Sequence, residues 1–223
     1  MGSAIGDTLP LALGIAVSPI PIIATILMLL SPKAKAASVA FLLGWLLGIV
    51  VAVVVFTVLA GLLPHGDPDQ PKPVVGTIKI VLALLLLLLA VMQWRRRPNA
   101  GESQALPKWM SAIDSMTAGR GFGLGFVLAA VNPKNLLLAA AAGVSFGLAG
   151  LPFGQLVVVV AIFVIVASLS IAIPVVAYLI AAERIRGALD SLRTWLVHNN
   201  AAVMAVLLLV IGVALLGNGI ASF

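Results

Sequence analysis

The chain has 223 residues, of which 62% are hydrophobic and 9% charged, with a mean hydropathy of +1.23. That is more apolar surface than a soluble domain of this length can bury, so the sequence reads as an integral membrane protein. The formal charge of +6 does not point to nucleic acid, because the basic residues lie beside apolar runs, where they set topology and attract anionic lipid; with no cysteine and two histidines, thiol redox chemistry and metal sites also drop out.

Six apolar segments follow one another, at about 8–30, 37–63, 74–94, 121–143, 153–181 and 199–219. Each is long enough to cross about 30 Å of hydrocarbon at about 1.5 Å per residue. No basic n-region precedes the first segment, whose nearest charge is Asp7, so it is expected to remain as a helix. The first, third and fifth connections carry Lys33, Lys35, Arg95, Arg96, Arg97, Lys108, Arg120, Arg184, Arg186 and Arg193, whereas the other side carries only Lys72 beside Asp7, Asp67 and Asp69. The positive-inside rule then places both termini outside the cytoplasm, in a multi-pass protein of the cytoplasmic membrane.

Within the connections, Trp109, Ile113 and Met116 recur at helical spacing opposite Lys108 and Asp114, and Ile185, Leu189, Leu192 and Trp195 do the same opposite Arg186 and Arg193. Each predicts a short interfacial helix. The run His65 to Pro73 is dense in turn formers and is expected to be an exposed external loop.

Ala16-Val17-Ser18-Pro19 aligns with Ala130-Val131-Asn132-Pro133 at a shift of 114 residues, and the following apolar segments correspond at similar shifts. The expected architecture is therefore all-α: six transmembrane helices as two inverted three-helix repeats with proline-broken first helices. Residues 1–223 form a single membrane domain, with repeat one at about 8–94, a cytoplasmic connection at about 95–120 and repeat two at about 121–219. An odd number of spans per repeat makes the second enter from the opposite side, and such folds bind at the midplane on discontinuous helices.

Serine or asparagine before proline suits the N-cap and first position of a helix, so each break is expected to start a half-helix whose positive end faces a shared cavity. The candidate substrate-binding residues are Ser18, Pro19, Pro21, Asn132, Pro133, Lys134 and Asn135. Lys134 is the informative one: no aspartate or glutamate lies within the six segments to neutralise it, which predicts an anionic or polar-headed ligand. The alternative is that the prolines only kink and Ser18 or Asn132 satisfies carbonyls freed by the kink. Lys79 lies about a turn inside the third segment, where snorkelling accounts for it. Gly44 and Gly48, and Gly121 and Gly125, have GxxxG spacing, which serves either packing within the chain or a homodimer. Pro174 marks a kink near Ser168, Ser170 and Tyr178, which either line the cavity or bond between helices. No P-loop, paired intramembrane carboxylates or nucleophile-histidine pair occurs, so no catalytic residue, metal or cofactor is assigned and an enzyme is not expected.

Ser18-Pro19-Ile20-Pro21, the turn Ser31-Pro32-Lys33 and Asn132-Pro133-Lys134-Asn135 opening the second half resemble the LysE exporter superfamily and, within it, the glycolipid-addressing (GAP or Sap-like) proteins. The resemblance covers nearly the whole chain. It implies a six-span exporter that moves an envelope lipid or glycolipid, while other branches export amino acids or cations; the thiol-redox branch needs membrane cysteines that are lacking here. The expected function is export or flipping of a lipid with a polar or anionic headgroup, with membrane lipids and envelope-biosynthesis proteins as partners. The alternatives are a LysE-type small-solute exporter, which would need recognition of an ammonium group as well, and a non-transporting scaffold of a biosynthetic complex.

Overall fold

The computed structural model describes residues 1–32, 34–62, 73–96, 113 and 116–223. Lys33, the run from His65 to Lys72, expected as an external loop, and Arg97, Lys108, Trp109 and Asp114 lie outside the described residues. Among the described residues the fold is helical: α1 (Gly2–Ala16), α2 (Pro19–Leu30), α3 (Ala34–Gly61), α4 (Pro73–Arg95), α5 (Ala118–Ala130), α6 (Pro133–Gly147) and α7 (Phe153–Ile220). Three of these helices are each long and apolar enough to cross a membrane, and five crossings result when the bent pairs α1–α2 and α5–α6 count as one each. The exterior carries large apolar side chains such as Leu43, Val58, Phe153 and Ile180, as expected where the surrounding solvent is lipid.

Both proline breaks fall where the sequence puts them. α1 and α2 meet at 52° and α5 and α6 at 61°. Ser18 and Asn132 are held in extended backbone by the prolines that follow, and each proline opens the next helix at a position whose N–H would have no partner anyway. The fifth and sixth apolar segments are assigned as one helical run of 68 residues, but Ala181 has non-helical φ −144° and ψ 52°, so α7 is two helices joined at that residue. The stretch read as an interfacial helix lies just beyond this joint; Leu189 is buried, whereas Leu192 and Trp195 remain exposed. In the third connection Ile113 and Met116 are buried in the core cluster.

Small residues decide how the helices pair. A Cβ on Gly44 would run into the Phe122 carbonyl and one on Gly125 into the Phe41 carbonyl, and Gly121 and Gly143 abut Ala37 and Phe56. The numbers rise together, so α3 runs parallel to α5 and α6, with its backbone against theirs. The two GxxxG pairs are thus used within the chain. Gly76 and Gly219 similarly bring α4 against the end of α7, this time antiparallel, since Gly212 meets Ala83 and Leu87. Phe41 stacks on the fully buried Trp45, and Phe146 meets Phe163 edge to face at 5.8 Å.

Candidate functional site

The two breaks meet. Lys134, only 4% exposed, crosses from the first turn of α6 to the end of α1, where its Nζ donates to Gly14 O at 2.6 Å and Ser18 Oγ at 2.5 Å and approaches Val17 O at 3.5 Å. The last carbonyls of a helix have no partner inside it and carry its negative end, so an ammonium fits there both as donor and as charge. Ser18 Oγ donates to Ile15 O at 2.6 Å, and Ser170 Oγ of α7 donates to Ala16 O at 2.6 Å. The carbonyls of Gly14, Ile15, Ala16 and Val17 are thereby all engaged by side chains from three segments.

The sequence predicts Ser18 as the side-chain cap of α2, and the structure corrects this. Ser18 is the N-cap residue but makes no capping bond. An N-cap oxygen accepts from the second or third helical N–H; Pro21 removes the third and leaves only that of Ile20, while Ile15 O and the Lys134 ammonium compete for the hydroxyl. The hydroxyl turns back to close α1 instead. Asn132, followed by Pro133 alone, does cap: its Oδ1 accepts from Lys134 N at 3.1 Å. Asn135 is 1% exposed; its Nδ2 donates to Leu128 O at 3.1 Å, doing for α5 what the Lys134 cluster does for α1.

Beside this junction lies a cavity of about 250 Å³. Ser18, Pro19, Pro21, Asn132, Pro133 and Lys134 line it; Asn135 does not and sits behind the wall. Neither Ser168, Ser170 nor Tyr178 belongs to the lining, so the serine near the break acts as a tie between helices. The remaining walls come from α4 (Leu89, Met92, Gln93), from Arg96 in the turn just past its end, and from α7 (Asn200, Met204, Leu208). The sequence reading missed these. Their signal was present as spacing: 89, 92, 93 and 96 fall at i, i+3, i+4 and i+7 on one helical stripe, but Arg96 reads as a topology residue when its neighbours Arg95 and Arg97 are read with it. The lining contains no carboxylate, and no metal-ligating cluster occurs among the described residues.

Helices broken by proline at buried, mutually bonded positions, an apolar exterior and a cavity beside the junction mark a helical membrane protein with a candidate site at its discontinuous helices. The family model described as Sap, sulfolipid-1-addressing protein, matches residues 8–221, and the chain belongs to this family. Searches of curated proteins and of solved structures found no match.

Proposed function

We propose that this chain exports or flips an envelope lipid or glycolipid with a polar or anionic headgroup across the cytoplasmic membrane. The observation that carries the reading is the cavity where the two broken helices meet, with Lys134 and Arg96 both in its lining, largely apolar walls and no carboxylate. A space of about 250 Å³ takes a headgroup and not a whole lipid, which leaves the tails in the bilayer. The family's name, sulfolipid-1-addressing, supports a lipid-directed role and names no catalysis. An amino-acid exporter would also have to hold an ammonium group, and the lining offers no carboxylate for it.

In this reading the chain is a LysE-type exporter and crosses six times, each bent pair making one crossing and α7 two. The halves form inverted repeats on either side of the shared site. Ser18, Pro19, Pro21, Asn132, Pro133 and Lys134 form the base of the headgroup site, and Asn135 holds its backbone in place. The parallel pairing of α3 with α5 and α6 and the antiparallel pairing of α4 with the end of α7 support this order of crossings. The basic connections put both termini on the extracytoplasmic side. Membrane lipids are the partners, with envelope-biosynthesis proteins supplying substrate from the basic side.

Native mass spectrometry with lipid analysis on gently extracted protein tests the proposal, comparing wild type with Met204→Trp, which fills the cavity from a wall residue not involved in the Lys134 bonds. Wild type should retain a polar or anionic lipid that Met204→Trp loses. Retention of bulk membrane lipids alone, in equal amounts, would overturn the reading in favour of small-solute efflux or a scaffold.

A further inference from the structure

An ammonium has three protons to donate, and Lys134 has three oxygens in reach: Gly14 O, Ser18 Oγ and Val17 O. No proton remains for a ligand. Asn132 Oδ1 is taken by Lys134 N, and Pro19, Pro21 and Pro133 have no N–H to offer. What is left near the breaks is neutral, the Asn132 amide N–H groups and Ile20 N–H, so this part of the cavity is positive in field without a charged donor to give.

The charged donor outside those bonds is Arg96. One stripe of α4 and the turn after it lines the cavity, from Leu89 to Arg96, about 10 Å apart along the helix direction. Between them stand Met92 and Gln93, faced by Met204 and Leu208 of α7. Arg96 is exposed, and among the described residues it takes part in neither of the two ion pairs, Arg186–Glu183 and Arg193–Asp190. Its planar fork matches two oxygens of a sulfate or phosphate ester, while the methionines offer an adaptable apolar wall beside it.

We infer that Arg96 is the residue that grips the charged group of an amphiphilic oxyanion, a sulfate or phosphate ester. Gln93, about one turn deeper, donates to a neighbouring ester or hydroxyl oxygen, and Met92, Met204 and Leu208 take the apolar part next to the ester. Lys134 contributes its field without a hydrogen bond. The inference rests on the lipid-export reading and assigns the headgroup contact to a different residue from the buried lysine.

The test uses the full chain in nanodiscs of zwitterionic lipid, titrated by calorimetry with octyl sulfate and octyl phosphate against empty nanodiscs. Octyl glucoside and inorganic sulfate serve as comparators. Wild type should bind both anionic amphiphiles, and Arg96→Gln should weaken them about tenfold or more, since a hydrogen bond to a charged group is lost. Arg96→Lys, which keeps the charge without the fork, should fall between and stands in if Arg96→Gln fails to fold. Arg95→Gln removes the same charge from the adjacent residue outside the lining and should change binding less than about twofold, as a screened surface charge does. Equal effects of Arg95→Gln and Arg96→Gln, or none from either, would overturn the inference and leave the lipid reading standing. Displacement of octyl sulfate by an equal concentration of inorganic sulfate would mean a free-anion site and would overturn the amphiphile. Binding of neither amphiphile by wild type would sink both the inference and the function proposed above.

Discussion

The ammonium of Lys134 donates to the carbonyl oxygen of Gly14 across 120 residues of sequence, at 2.6 Å. That bond joins the two halves of the chain at the point where each has a broken helix. Ser18 mediates, accepting from Lys134 and donating to Ile15 O. Ser170 is a simpler tie, since Ala16 O also accepts from Ser18 N at 2.8 Å. Ser18→Ala should therefore cost about 1–3 kcal/mol, because it leaves both a buried carbonyl and an ammonium proton without a partner. Ser170→Ala should cost only about 0.6 kcal/mol, the usual worth of an interhelical bond in a membrane. Thermal unfolding of the two purified variants checks the order, and a larger loss for Ser170→Ala would contradict this account of the junction.

Part of this arrangement is legible in sequence, and the division has a physical basis. Proline fixes its own backbone and biases the residue before it, so the breaks at Ser18-Pro19 and Asn132-Pro133 announce themselves locally. The partners of Lys134 do not, since two of its three acceptors are main-chain oxygens, which every residue type carries. Ser18 misleads because Pro21 leaves it one cap donor instead of two, while Ile15 O and the distant Lys134 ammonium take up the hydroxyl. Arg96 is hidden by Arg95 and Arg97, because topology accounts for a basic triplet at a span end without asking which member faces inward. The joint at Ala181 carries no glycine or proline of its own, the nearest proline being Pro174.

Replacing Lys134 itself sets two effects against each other. Lys134→Met keeps the length of the side chain and removes the cost of burying a charge, yet leaves Gly14 O, Val17 O and Ser18 Oγ without their donor. Removing one partner of a satisfied buried cluster generally costs more than the cluster contributes, so a net loss of about 1–3 kcal/mol is expected. Loosening of the α1–α2 junction should accompany it, visible as faster amide exchange at Val17 and Ser18, whose N–H groups bond Leu13 O and Ala16 O. A variant as stable as wild type, with unchanged exchange, would show that the tie is not structural.

The glycine faces give a prediction free of charge effects. Gly44→Ala places a methyl group against the Phe122 carbonyl, and backbone has little room to yield, so a loss of about 1–3 kcal/mol is expected. Gly123→Ala, on α5, meets nothing within 4 Å and should be neutral or stabilising by about 0.5–1 kcal/mol through helix propensity. Melting temperatures of the pair separate packing from propensity. Similar behaviour in both would mean that α3 and α5 do not approach through Gly44.

The last prediction concerns the direction of the chain through α7. A run of 68 residues would extend about 100 Å as one helix, more than three times the hydrocarbon thickness of about 30 Å, so its ends cannot mark a single crossing. If Ala181 joins two crossings, Gly154 and the C-terminal end of α7 share a side, and Ser191 lies on the other. The absence of native cysteine lets single substitutions report this directly. Gly2→Cys and Gly154→Cys have open space around the new side chain and should react with an impermeant maleimide on intact cells. Ser191→Cys, beside the basic residues Arg186 and Arg193, should react only after permeabilisation. Labelling of Ser191→Cys and Gly154→Cys from one side would remove the turn at Ala181, and with it the pairing of the halves as inverted repeats. Reversal of all three would keep the turn and invert the orientation, placing the Arg96 end of the cavity outside the cell, where it would receive substrate rather than load it.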